Sequence, residues 1–249
     1  AGIIKEGVPV ITAATGEPLA IIEQRAEELG ADVFVCGEDF SAELLFPQEG
    51  GQRVAFHSAL CRAPEPFDLA LAGLYQAENA ALVIMAATLL EREDPRFTEA
   101  ALRMGLRTVR HPARFEILTQ ENLPVVIDGA HNPAGMCALR AGLDAYFPDL
   151  PRVFLLGILK DKDIDAMLAA LLRSGDTVIT VRPNSERAAS ADVVAAVTLG
   201  MGLESHACSD AAEGLVQAGA RARERGALLV VAGSLYLVGG IRALLTAGR

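Results

Sequence analysis

The chain has 249 residues, room for one large or two modest domains that each bury a core, and 51% of them are apolar, so a globular protein is expected. A formal charge of −10 with only three lysines, Lys5, Lys160 and Lys162, excludes the basic face that nucleic acid would need. No apolar run approaches the roughly 18 to 20 residues that cross a bilayer, and no signal-peptide pattern opens the chain, so a cytoplasmic protein without membrane contact is the expectation. Cys36, Cys61, Cys137 and Cys208 are far apart and form no C-x-x-C pair, which reads as scattered core thiols in a reducing compartment.

In chain order, Val8 to Thr12 is predicted as a short strand, and Pro18 to Leu29 as a helix with Leu19, Ile22, Ala26 and Leu29 on one face and Gly30 as its stop. Val33 to Cys36 is the next strand. This αβ alternation belongs to a parallel sheet covered by helices, and it starts like the last part of a domain whose earlier strands lie elsewhere. From Gly50 to Leu71 the pattern becomes a partial period-two alternation over Gln52 to Leu60, predicting a β-hairpin with Phe67 to Leu71 nearby. His57, a lone histidine there, is expected as an exposed strand residue. Gln76 to Glu91 is a strong helix, and in its first turn Asn79 on pattern alone caps the helix start. Thr98 caps a short helix ending at Gly105.

Thr108 to Arg114 is short and polar and marks the expected boundary between domains at residues 1–108 and 109–249. Arg114 is either a surface cation paired with Glu116, a contact of little energetic weight, or a planar fork suited to phosphate. Beyond the boundary comes the most informative stretch, Val125-Val126-Ile127-Asp128-Gly129-Ala130-His131-Asn132-Pro133. Three β-branched residues predict a buried strand, and the proline opens a helix over Ala134 to Tyr146. In an open parallel sheet such a turn sits at the carboxyl edge of the strands, so Asp128, His131 and Asn132 are expected to face a crevice. The plainer alternative makes Asp128 and Asn132 helix caps.

Further αβ units follow: strands at Val153 to Leu156, Thr177 to Val181 and Leu228 to Ala232, with a weaker one at Glu204 to Ala207; helices at Ile164 to Arg173, Ala191 to Leu199, Ala211 to Arg225 and Leu235 to Leu245. The succession predicts a doubly wound, Rossmann-like α/β sheet, without the G-x-G-x-x-G of a dinucleotide site. Lys160 to Asp163 follow one strand and read either as solvated surface or as a loop on the same sheet edge as Asp128 and His131. Gly233 and Ser234 end the last strand and open the last helix, a geometry that serves an N-cap and an anion site equally.

V-I-D-G-A-H-N-P resembles the signature of folylpolyglutamate synthase and dihydrofolate synthase, the folate members of the Mur ligase superfamily. Ala1-Gly2-Ile3-Ile4-Lys5, Gly73-Leu74-Tyr75-Gln76-Ala77-Glu78-Asn79, Pro112-Ala113-Arg114-Phe115-Glu116, Gly157 to Asp163 and Gly233-Ser234-Leu235-Tyr236-Leu237 are similar to further family segments, in the family's order. The resemblance implies ATP-driven amide formation, with Mg²⁺, in which a folate or dihydropteroate carboxylate is phosphorylated and the amine of L-glutamate attacks the acyl phosphate. ATP would lie between two domains, with Asn79 and Arg114 at the base or phosphates and Asp128 at the ribose. His131, Lys162 and Ser234 would orient glutamate. The implied architecture is a remnant of the central ATPase domain followed by the Rossmann-like C-terminal domain, in a monomer.

The family's phosphate loop, G-T-N-G-K-G-S, has no counterpart here, since none of the three lysines follows a glycine or precedes Ser or Thr. The expectation is therefore a C-terminal part of a longer ligase, cut after a lysine, ending on Arg249 and inactive alone. Two alternatives stay open: another Mur-type ligase acting on a peptidoglycan precursor, and a non-catalytic nucleotide-binding module.

Overall fold

The computed structural model describes residues 1–48, 50–60 and 65–247, and the chain forms two compact units, Ala1–Arg110 and His111–Arg249. Cys61 and Arg249 lie outside the described residues.

In the first unit, β1 (Val10–Thr12) and β2 (Val33–Val35) pair in parallel and are joined by α1 (Gly16–Glu28), as the alternation predicts. Of the helix's apolar face only Ala26 is fully buried. A three-stranded antiparallel sheet follows, in the order β3 (Phe40–Gln48), β4 (Gly51–Ser58), β5 (Phe67–Leu69). The expected hairpin is present, but its other arm precedes β4. The sequence hides β3 because its register shifts between Leu44 and Phe46, which breaks the period of two. His57 is exposed on β4, 3.9 Å from Glu43. The sheet packs on α2 (Tyr75–Glu91) and α3 (Glu99–Thr108) through Phe56, Phe67, Ala81, Ile84, Met85 and Leu106. Thr98 accepts from the Ala101 N–H at 3.2 Å as expected. The helix nevertheless runs past Gly105: an interior glycine costs only about 1 kcal/mol, and Leu106 is buried beyond it.

The second unit is a six-stranded sheet. Its elements are β6 (Glu116–Gln120), β7 (Leu123–Ile127), α4 (Pro133–Tyr146), β8 (Arg152–Leu156), α5 (Ile164–Leu171), β9 (Thr177–Thr180), α6 (Ala191–Gly200), β10 (Glu204–Ala207), α7 (Ala211–Arg225), β11 (Leu228–Ala232) and α8 (Leu235–Thr246). The strand order is β10-β9-β8-β11-β7-β6, parallel throughout except for β6. The chain steps from β7 through β8 and β9 to β10, then returns through α7 to insert β11 between β8 and β7. The helices α4, α5 and α6 pack on one face and α7 and α8 on the other, the two-sided cover of a doubly wound sheet. Strands covered on both faces become continuous apolar runs, and every residue of β8, β9 and β11 is buried.

Val125, Ile127, Val153, Leu155, Leu229 and Val231 form one core with Leu237, Val238 and Ile241 of α8, while the alternate residues Val126, Phe154 and Val230 are buried toward the opposite face. The doubly wound reading therefore holds, including the weakly signalled β10. The antiparallel edge strand β6 is an addition to it. Its two-residue turn, Glu121-Asn122, has φ +48° and +66°, and a glutamate in that conformation gives no turn signal in sequence.

Candidate functional site at the carboxyl edge of the second sheet

The loops that leave β7, β11 and β8 meet side by side. The Gly233 N–H donates to Ala130 O at 3.1 Å, and the Gly157 N–H donates to Ala232 O at 3.3 Å. Gly233 has φ +112°, and a Cβ on it would lie 2.7 Å from Gly157 O. Only glycine allows this approach. The loop after β9 is joined on as well: the Lys160 N–H donates to Arg187 O, the Ala189 N–H donates to Ile158 O, and Asp161 pairs with Arg187.

Asp128 closes β7, but it faces the turn and not an open crevice. The residue is 4% exposed; Oδ1 accepts from the Ala130 N–H at 2.7 Å and Oδ2 from the Phe115 N–H at 2.8 Å. Of the two sequence readings of Asp128, the helix cap is overturned. The cap is Asn132, whose side chain accepts from the Gly135 N–H at 2.7 Å. His131 is half-buried between them, with Nδ1 2.8 Å from Gly129 O. A carbonyl only accepts, so Nδ1 carries a proton and Nε2 is the nitrogen left to face a ligand.

Ser234 caps α8, its hydroxyl accepting from the Leu237 N–H at 3.2 Å, and it is 1% exposed. Ser234 and Asp128 both lie on the expected edge, each with its side chain almost closed off from solvent. The O–H of Ser234 remains a donor at the start of a helix whose first N–H groups point outward, with Leu235 and Tyr236 exposed beside it. Lys162 is half-buried in the loop after β8 and lowers the Asp161 carboxyl by its charge, behind the larger effect of the Arg187 hydrogen bond.

Arg114 sits between two residues in the left-handed region, Ala113 at φ +61° and Phe115 at φ +46°. The plain reading, a pair with Glu116, is overturned: Glu116 binds Arg242 through both oxygens, at 2.8 to 3.1 Å, and also accepts from the Ala113 N–H at 2.9 Å. Burial raises the Glu116 carboxyl, but the Arg242 hydrogen bonds, the Ala113 N–H and the Arg242 charge outweigh it and hold the group below its ordinary value. Among the described residues no hydrogen bond or ion pair reaches the Arg114 guanidinium, which is half-buried. Sequence reasoning misses Arg242, which lies 126 residues from its partner and carries no local signal.

Asn79, in the first unit, is exposed, and its amide donates to Gln76 Oε1 at 3.0 Å. It borders an apolar cavity of about 340 Å³ lined by Leu69, Leu71, Val83, Leu106 and Val109.

A largely parallel sheet thus carries a histidine, a lysine loop and a serine-capped helix start along one edge. Residues 113–235 match the family model described as Mur ligase, glutamate ligase domain. The dihydrofolate synthase/folylpolyglutamate synthase of Bacillus subtilis is 36% identical over 176 residues, 69% of this chain and 40% of that protein. Folylpolyglutamate synthase of Lacticaseibacillus casei is 33% identical over 191 residues, 76% of this chain and 44% of that one. The crystal structure of Thermotoga maritima folylpolyglutamate synthase superposes with a TM-score of 0.82 at 30% identity, covering 100% of this chain and 56% of its own. The chain belongs to the folylpolyglutamate synthase and dihydrofolate synthase family of Mur ligases. It spans less than half the length of the two curated relatives.

Proposed function

We propose that this chain supplies the glutamate-handling part of an ATP-dependent ligase that joins L-glutamate to folate, to dihydropteroate, or to both. A carboxylate oxygen of the pterin substrate attacks the γ-phosphorus of ATP and ADP departs. The glutamate nitrogen then attacks the acyl carbon, the C–O bond to phosphate breaks, and the amine loses a proton. Catalysis of this kind is positioning and charge neutralisation more than covalent chemistry.

The observation that carries the reading is the common edge shared by His131, Lys162 and Ser234, in a chain whose relatives are named for this reaction. The free Nε2 of His131 accepts a proton from the attacking amine, while Lys162, the Ser234 hydroxyl and the first N–H groups of α8 hold the glutamate carboxylates. Arg114 takes a phosphate with its fork. Asn79 meets the adenine edge beside an apolar wall. Asp128 holds the turn and the Arg114 loop rather than the ribose. Mg²⁺ would be held chiefly by the phosphates of the nucleotide, whose charge it neutralises.

The test is a steady-state ligation assay on the full-length gene product that contains this chain, with dihydropteroate and tetrahydrofolate as separate acceptors. Lys162→Ala should raise KM for glutamate about tenfold or more and leave KM for ATP in place, Arg114→Ala should do the reverse, and His131→Ala should lower kcat by about a hundredfold or more. Failure to form a glutamyl product with either acceptor refutes the assignment.

A further inference from the structure

We propose that Arg242 is a positioning residue for Arg114, acting through Glu116; the proposal rests on the reading of Arg114 as a phosphate contact. The starting point is the backbone on either side of Arg114. Ala113 and Phe115 both occupy the left-handed region, which L side chains adopt only when their surroundings demand it. Three hydrogen bonds and one packed ring supply that demand. The Phe115 N–H is taken by Asp128, and its ring is buried against α4, where a Cβ on Gly142 would come within 2.6 Å of it, with the Tyr146 ring 5.2 Å away. Ala113 O accepts from the Gly129 N–H at 2.8 Å. The Ala113 N–H is taken by Glu116 Oε2, the same oxygen that Arg242 Nε reaches at 2.8 Å.

Glu116 is thus a two-sided clamp. One oxygen binds the residue before Arg114, and both oxygens bind a guanidinium anchored on α8. Arg242 fixes the carboxylate in a planar, bidentate geometry that a single ammonium cannot reproduce. Without it the carboxylate can turn toward water, Ala113 loses its acceptor, and the left-handed turn relaxes to ordinary backbone. Arg114 would keep its charge and lose its aim. The same helix begins at Ser234, so one rigid element carries a proposed glutamate contact at its start and the anchor of the phosphate contact two turns later. A merely structural pair would fasten α8 to the edge strand β6 and leave nucleotide affinity alone.

The experiment has two readouts. In the full-length ligase, Arg242→Gln should raise KM for ATP about tenfold at nearly constant KM for glutamate, and Arg242→Lys should give a smaller rise. Combining Arg242→Gln with Arg114→Ala should add little to Arg114→Ala alone, because the two act on one contact. Independently, hydrogen exchange of the Ala113 and Phe115 amides in the present chain should quicken in Arg242→Gln while those of β8 and β11 stay protected. Full additivity of the two substitutions, or unchanged exchange at Ala113, overturns the proposal. If Arg114→Ala leaves KM for ATP unchanged, the phosphate reading of Arg114 fails and the proposal resting on it falls, even if exchange shows that Arg242 orders the loop. Should Arg242→Gln not fold, Arg242→Lys, which keeps the charge but loses the planar fork, serves in both readouts with a smaller change in the same direction.

Discussion

Replacing Asp128 by alanine separates two accounts of the most distinctive acid in the chain. Its carboxylate is buried and accepts from the N–H groups of Ala130 and Phe115 at 2.7 and 2.8 Å, one within its own turn and one from the Arg114 loop. A hydrogen bond to a charged group contributes roughly 1.5 to 3 kcal/mol, so the pair amounts to about 3 to 6 kcal/mol. That is a large share of the roughly 5 to 15 kcal/mol typical of a domain. Asp128→Asn keeps one acceptor and sets an NH₂ group against the other N–H, so it should lose about half as much or more. With a urea dependence of about 2 kcal/mol per molar, Asp128→Ala should lower the midpoint of the second unit by roughly 1.5 to 3 M, followed by circular dichroism. Phe115, left-handed and without its acceptor, should then show the fastest amide exchange in the loop. If instead Asp128→Ala unfolds within about 0.5 kcal/mol of the parent while nucleotide affinity collapses, the carboxylate faces substrate, as the sequence alone implied, and the clamp account is wrong.

Gly233→Ala should cost about 2 to 5 kcal/mol in a urea titration, combining left-handed strain with a Cβ 2.7 Å from Gly157 O, whereas Gly239→Ala, inside α8 with open space around it, should gain up to about 1 kcal/mol. Asp176→Ala strands Arg140, whose Nη1 lies 3.0 Å from the acid and whose side chain is 11% exposed; because Asp144 remains as a partner, the loss in a thermal melt should fall near 3 kcal/mol, the low end for breaking a buried pair. The lowered Glu116 carboxyl contributes stability that is complete above the unfolded value of about 4.3 and disappears as pH falls through the lower folded value, so Arg242→Gln should flatten the acid limb of stability against pH below that point and leave neutral pH dependence unchanged.

What could be read before folding depended on how local the physics was. The apolar run Val125 to Ile127 closed by Asp128, Gly129 and Pro133 is a strand, turn and helix within nine residues, and Asn132 and Ser234 are caps that bond three residues ahead. Such features carry their cause in their own neighbourhood. The strands β3 and β6 escaped because a bulge and a left-handed Glu121 erase the period and the turn residues that mark a hairpin. The same distinction divides the site: residue types that suit phosphate and carboxylate are visible along the chain, but what each of them already binds is not.

Asp128 shows the consequence for function. An acid at the end of a central parallel strand is rightly placed on the ligand edge by pattern, yet its partner Phe115 lies 13 residues back in a loop whose left-handed backbone the pattern cannot foresee. Arg114 errs the other way. Local charge pairing assigns it to Glu116, and only the fold reveals that Arg242, arriving at the other end of the unit, has already claimed that acid and left Arg114 for something else. A cation without a partner among the described residues, held between two residues in the left-handed region, costs stability that unliganded folding alone would not select, so the ligand that would repay it is the place to look for this loop's purpose.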